Sequence, residues 1–233
     1  EEFLPMLYRE GFPRNFDDEV AWLYLMTDDV EMGQLELDPD DENNDTRDKN
    51  SVDAFSVGEG EEPYKWERDI KSYADNFWER RYGNILACNL VIDALPEMVY
   101  VEADSGSYNF LAAQAYAMRA YHYWCLVNSY ALPWSKENLD EPGVVIRTEP
   151  QIDIAARRRS SIREVYDLIN EDIENAEKYI KVATFDGNIH RLSEPAILLL
   201  ASRIALFQEN WDEVIRTGKL FWAQNSVILN LNL

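Results

Sequence analysis

Residues 108–134 read YNFLAAQAYAMRAYHYWCLVNSYALPW, and residues 161–180 read SIREVYDLINEDIENAEKYI. The first run is apolar nearly all round. A helix of that kind has no polar face to give to water, so it belongs between other helices rather than on a rim. The second run opens with a capping box, in which Ser161 and Glu164 each satisfy an amide left over at the helix start. Its stripe of Ile162, Val165, Tyr166, Ile169, Ile173, Ala176 and Ile180 keeps three-four spacing without a break. The spacing predicts helices over 107–130 and 161–180, paired as a hairpin. An excursion over 131–160 is inserted between them, punctuated by Pro133, Pro142 and Gly143, with Val144-Val145-Ile146 as a short β-like run.

Working outward, Asn15 is a good N-cap, with Asp17, Asp18 and Glu19 where carboxylates suit the helix dipole, and a helix is expected to near Thr27. Residues 28–62 lose any stripe and read as a long surface excursion. Helix returns over 66–95 on the stripe Tyr73, Phe77, Arg81, Ile85, Cys88 and Ile92, with Arg81 its one charged member, until Pro96 stops it. Asp186-Gly187-Asn188 makes a turn, Ser193 caps a helix over 195–207, Gln208-Glu209-Asn210 turns, and Trp211 opens the last helix. That final pair has the layout of a tetratricopeptide unit, which buries its apolar face only by stacking on neighbours. The expected fold class is all-α: tetratricopeptide-like helical hairpins with long loop excursions at 28–62 and 131–160, and at most two short strands.

The 233 residues are 46% hydrophobic, with seven Trp and 13 Tyr, enough for a sizeable core. In such a core large flat rings pack helices before they serve as platforms, and Trp22, Trp78, Trp124 and Trp211 read as packing residues. The net charge of −22 is uneven: residues 1–65 carry 20 acidic against five basic side chains, and residues 66–233 carry 24 against 17. Such a surface repels phosphate backbones, so nucleic acid is not an expected partner. Cys88 and Cys125 sit in apolar helical sequence without CxxC spacing and read as small buried hydrophobes; a disulfide between them would require facing helices. No uninterrupted apolar run approaches the ~20 residues of a membrane span.

Catalytic and metal chemistry find little support. His122 reads as a satisfied core residue and His190 as a turn residue, and they share no metal-ligand spacing. The run DPDDENNDTRD at 38–48 alternates oxygen ligands but lacks the Gly and the Glu of a calcium loop, so it reads as a solvated acidic loop. No metal and no cofactor are expected. No nucleophile elbow, Ser/His/Asp order or P-loop appears, and Asp93 and Glu171-Asp172 read as solvated helix faces, so an enzyme is not expected. A sugar's C–H face needs an exposed aromatic ring with polar neighbours. Tyr64, Trp66 and Arg68, closing the first excursion, offer that, and so does Trp134, set out by Pro133. Either ring could instead pin its loop to the scaffold, the reading favoured for Trp134 and balanced for Trp66. Arg157-Arg158-Arg159, before a helix start where the dipole disfavours cations, is either a solvated turn or a clamp onto the acidic excursion at 28–62.

Four blocks in order carry a family resemblance. The string AMRAYHYWCLVN at 117–128 resembles a signature of SusD/RagB-type outer-membrane nutrient-binding lipoproteins. Arg159, Val165-Tyr166, Ile169, Asp172-Ile173 and Ala176 are similar to a second signature of that family. Gly187 to Trp211, with Arg191, Ala201, Arg203 and Leu206, resembles a third, and Tyr82-Gly83-Asn84-Ile85 with Asn89 a fourth. The resemblance spans about residues 66–225, with Ala131 standing where the family usually has Gly. It implies that residues 1–233 are the N-terminal helical domain of such a protein, as a fragment or a short member, since the family generally continues further. It also implies a surface-exposed outer-membrane lipoprotein that captures an oligosaccharide or peptide. Such a protein delivers its ligand to a TonB-dependent, SusC-like transporter and is membrane-bound only through an N-terminal lipid anchor absent from this chain. The alternative is a tetratricopeptide-like interaction module without sugar binding.

Overall fold

The computed structural model describes residues 7–8, 75–98, 104–151, 156–185 and 187–224. Two compact units divide the chain, residues 1–11 with 81–233 and residues 12–80. The described part of the second is 75–80, so the expected helix at 15–27 and the excursion at 28–62 lie outside the described residues. The described helices are α1 Asp75–Ala94, α2 Ser105–Tyr130, α3 Ile162–Ile180, α4 Glu194–Phe207 and α5 Trp211–Gln224. A 3-10 turn, Leu95–Glu97, follows α1 at Pro96. Among the described residues there is no strand. The only trace of one is an isolated antiparallel bridge between Pro142 and Ser161, so Val144-Val145-Ile146 is extended but unladdered.

The helices pair as the patterning predicts: α2 packs along α3, α4 along α5, and the second hairpin stacks on the first chiefly through α3. This is an all-α, tetratricopeptide-like arrangement. Its central helix is α2, where Ala112, Ala113, Ala115, Ala117, Met118, Ala120, Tyr123 and Leu126 are all fully buried. Alanine at so many positions lets neighbouring helices approach closely, and burying α2 on every side uses its apolar surface without leaving a wet face. Cys88 and Val91 of α1, Ala176 and Ile180 of α3 and Ile197 of α4 complete the cluster around it.

Helix ends are set locally. Ser161 Oγ accepts from the Glu164 amide at 3.2 Å and the Glu164 carboxylate accepts from the Ser161 amide at 2.7 Å, the expected capping box. Ser193 Oγ accepts from the Ala196 amide, with Pro195 in the first turn of α4. The α4–α5 turn closes as the Asn210 amide donates to the Ala205 carbonyl at 2.9 Å, with Glu209 at φ 55°. At the other end of the first hairpin the Thr184 amide donates to the Gly106 carbonyl at 3.1 Å. A Cβ on Gly106 would stand 2.0 Å from Thr184 Oγ1, so only glycine allows the start of α2 to meet the chain leaving α3.

Three expectations are corrected. Asp172 is not on a solvated face but fully buried, because its partner Arg119 arrives from the facing helix. Trp211 is 58% exposed rather than packed; with Ile215 and Trp222 it forms an outward stripe at i, i+4 and i+11. His122 is buried but only partly satisfied. Arg81 Nη1, which can only donate, meets its Nδ1 at 3.1 Å, so the ring proton lies on Nε2, and among the described residues that atom has no hydrogen-bond partner. Neither Cys88 nor Cys125 is in a disulfide.

Candidate functional site

The excursion between α2 and α3 is built inward from its two ends. The Gly143 amide donates to the Ser160 carbonyl at 2.7 Å and the Ser160 amide returns a bond to the Val144 carbonyl at 2.9 Å. A Cβ on Gly143 would lie 3.0 Å from both Ser160 and Ser161 carbonyl oxygens. The Ile162 and Arg163 amides, unpaired within α3, donate to the carbonyls of Glu141 and Leu139. The excursion thereby serves as part of the N-cap of α3. Arg159 donates through Nε to the Gly143 carbonyl and through Nη2 to that of Tyr130, tying both ends of the excursion together.

Residues 143–149 then cross the helices as an extended strap held by side chains. Tyr82 on α1 donates to the Val145 carbonyl at 2.7 Å. Tyr123 on α2 both donates to the Arg147 carbonyl at 2.7 Å and accepts from the Arg147 amide at 2.8 Å, doing for that residue what a neighbouring strand would do. Asn89 Nδ2 donates to the carbonyls of Arg147 at 2.9 Å and Glu149 at 3.3 Å. Burial pushes the Tyr82 and Tyr123 phenols far above their ordinary range, so both stay protonated as donors. Glu149 closes the strap with an ion pair to Arg157 at 3.1 Å. Hydrogen bonds with its own amide and then to Arg157 hold that carboxyl below the usual range.

Behind Asn89 lies a buried ion pair. Arg119 donates through Nε and Nη2 to the two oxygens of Asp172, at 2.8 and 2.7 Å, and through Nη1 to Asn89 Oδ1 at 2.9 Å. Burial pushes the Asp172 carboxyl upward and the Arg119 bonds oppose that shift; for Arg119 the bonds to Asp172 win and raise it. Two short bonds from one guanidinium to the two oxygens of one carboxylate are the pattern of a charged bidentate pair. Tyr82 with Asn89, Arg119 with Tyr123, and Arg159 with Asp172 come from three separate sequence blocks and meet at this loop or directly behind it.

Of the sequence-derived binding residues, Trp134 is half-buried, its ring edge-on to Tyr166 with centroids 6.5 Å apart. Tyr166 in turn donates to Asn128 at 3.3 Å, and burial pushes its phenol up to about 12. Tyr64, Trp66 and Arg68 lie outside the described residues. The arginine triplet bonds within the second excursion, Arg157 to Glu149 and Arg159 to Gly143; the acidic excursion of the clamp reading lies outside the described residues. Sequence reading missed Asn89, Tyr123 and the Arg119–Asp172 pair as parts of a site. The available signal was polar residues set within apolar helices, where burial is costly without partners.

An open cleft of about 440 Å³ lies among α3, α4 and α5, with Ile173 and Ile204 on its floor. Arg216 crosses it to Glu177 at 2.6 Å, and no aromatic ring lines it, so it lacks a sugar platform. Among the described residues no cluster of His, Cys, Asp or Glu could hold a metal ion, and no helix is long and apolar enough to cross a membrane.

These features define a helical-repeat scaffold presenting an anchored loop. The family model for SusD-like proteins, described as starch-binding and associating with the outer membrane, matches residues 13–206, and the chain belongs to that family. It is similar to the SusD-like protein P38 of Formosa agariphila, 28% identical over 158 residues, which covers 66% of this chain and 27% of that protein. Its fold is similar to that of a putative sugar binding protein from Bacteroides vulgatus, with a TM-score of 0.63 at 23% identity, covering 70% of this chain and 35% of that one. A laminarin binding SusD-like protein matches with a TM-score of 0.56 at 18% identity over 69% of this chain and 32% of that one. The chain thus spans about a quarter to a third of the length of these relatives.

Proposed function

We propose that this chain is the helical part of a cell-surface glycan-binding protein that captures oligosaccharide and passes it to a TonB-dependent outer-membrane transporter. It acts as a lipid-anchored surface lipoprotein, and it performs no catalysis of its own. The observation that carries the reading is family membership: the family's description is starch-binding, and one fold neighbour is named for laminarin. Ligand contact is assigned to the excursions, with Trp134 as a platform on the second and Tyr64, Trp66 and Arg68 as candidates on the first. The helices serve as scaffold, because the rings of α2 that are fully buried have no face to offer a sugar. The test is retardation in affinity gels containing starch or laminarin, with Trp66→Ala and Trp134→Ala as variants. Retardation that weakens in either variant supports the reading; no retardation on any glycan rejects it.

A second reading, a protein-interaction module without sugar, has one observation in its favour. Trp211, Ile215 and Trp222 are each about half exposed on one face of α5, and exposed apolar stripes of this kind commonly mark contact surfaces. Capture of a protein partner lost in Trp211→Ser, with glycan gels silent, would favour it.

A further inference from the structure

We propose that Asn89 is a positioning residue that sets the 143–149 strap in its ligand-competent shape before any ligand arrives. The proposal rests on the reading of the second excursion as ligand-facing.

The orientation of the Asn89 amide follows from its neighbours. Arg119 carries only donors, five in all, and Asp172 takes one on Nε and one on Nη2. Nη1 needs an acceptor as well, and Asn89 Oδ1 supplies it at 2.9 Å. That leaves Nδ2 facing the strap, where it reaches the Arg147 and Glu149 carbonyls. Asn89 and Asp172 are essentially fully buried and Arg119 is 6% exposed, so water does not compete for these bonds. The ion pair therefore acts as a fixed reference on α2 and α3, and Asn89 transmits its position to the strap backbone.

The strap depends on this device because it lacks a ladder. Backbone bonds to residue 160 end at Val144, and beyond it the described bonds that tie the backbone of 145–149 to the helices come from Tyr82, Tyr123 and Asn89. Releasing these bonds frees a loop without removing any helix contact. A loop ordered in advance spares the ligand the entropy of ordering it, so a loosened strap should bind more weakly through the same contacts.

Asn89→Asp tests this with almost no change in shape. A carboxylate still accepts from Arg119 but cannot donate to the strap, and it sets acceptor against acceptor. Tyr123→Phe is the second variant, removing one phenol oxygen and adding no charge. The readouts are the Arg147 amide exchange rate and retention of the chain in laminarin and starch gels. Asn89 does not touch the Arg147 amide, so its exchange reports position rather than a lost bond. In Asn89→Asp it should speed up about tenfold, the worth of one net hydrogen bond, with helix amides unchanged. Retention should weaken about tenfold in both variants.

Unchanged Arg147 exchange in Asn89→Asp overturns the proposal. So does a loosened strap with undiminished retention while Trp134→Ala abolishes it, a result that leaves the glycan reading standing. No retention of the unsubstituted chain on either polysaccharide overturns the glycan reading and the ligand half of the proposal. The exchange arm then still decides whether Asn89 sets the strap.

Discussion

Replacing Arg119 with Met would expose the energetics on which the first hairpin rests. Arg119 is 6% exposed and Asp172 fully buried, and the two are joined by bonds of 2.7 and 2.8 Å. Met keeps much of the stem's packing but leaves a desolvated carboxylate with no counter-charge and Asn89 Oδ1 with no donor. Removing one partner of a buried pair costs about 3–5 kcal/mol, and an orphaned buried acceptor about 1–3 kcal/mol at most in addition. A chain of this size shifts its melting point by roughly 2–4 °C per kcal/mol, so a fall of about 6–32 °C is expected. Arg119→Met/Asp172→Leu removes both charges, and a buried pair replaced by apolar groups is often close to neutral, so the double variant should be more stable than Arg119→Met alone. Urea denaturation of the four proteins of the cycle measures this. A loss under about 1 kcal/mol in Arg119→Met, or strictly additive effects in the double variant, would refute the buried pair as the fixed reference of the hairpin.

Other outcomes follow from single positions. Burial, and then the nearby Arg81, depress the His122 pKa well below its ordinary value, so below pH 6.5 the unfolded chain takes up a proton that the folded chain refuses. Stability at this site is full above pH 6.5 and should fall by about 1.4 kcal/mol per unit as pH drops toward the folded value; urea midpoints at pH 7 and 5.5 in parent and His122→Gln should show the slope shrinking in the variant. Gly106→Ala should cost about 1–3 kcal/mol, because its Cβ would collide with Thr184, whereas Gly83→Ala meets nothing within 4 Å and should stabilise α1 by about 0.5–1 kcal/mol. Thermal melts of the two variants should therefore move in opposite directions. Ser161→Ala, which removes one half of the capping box, should cost about 1 kcal/mol in the same assay.

The parts of the molecule that the sequence made legible are those decided within a few residues. Ser161 and Glu164 cap α3 because each lies within reach of the other's amide, and Ser193 caps α4 in the same way. The burial of α2 was legible because a helix apolar on every side has few other stable placements. What escaped was set by distant partners. Asp172 reads as a solvated carboxylate until Arg119, 53 residues earlier, is placed opposite it. The strap looks like a weak strand because its hydrogen bonds go to Tyr82, Asn89 and Tyr123 rather than to another strand, and no local pattern encodes that. Trp211 reads as core from its type, yet it is left 58% exposed, which tertiary placement decides. Of the binding candidates, sequence could nominate exposed rings but could not decide between platform and loop anchor. Trp134 has features of both, half-buried and edge-on to Tyr166.

Hydrogen exchange of the chain with and without laminarin or starch oligosaccharide tests the central claim most directly, because it locates the ligand rather than only detecting it. The expected result is slowed exchange across 131–149, including the Arg147 amide, with α2 unchanged since its amides are protected already. Protection confined to α5 around Trp211, Ile215 and Trp222, with the excursion unaffected, would contradict it and move binding to the helical face.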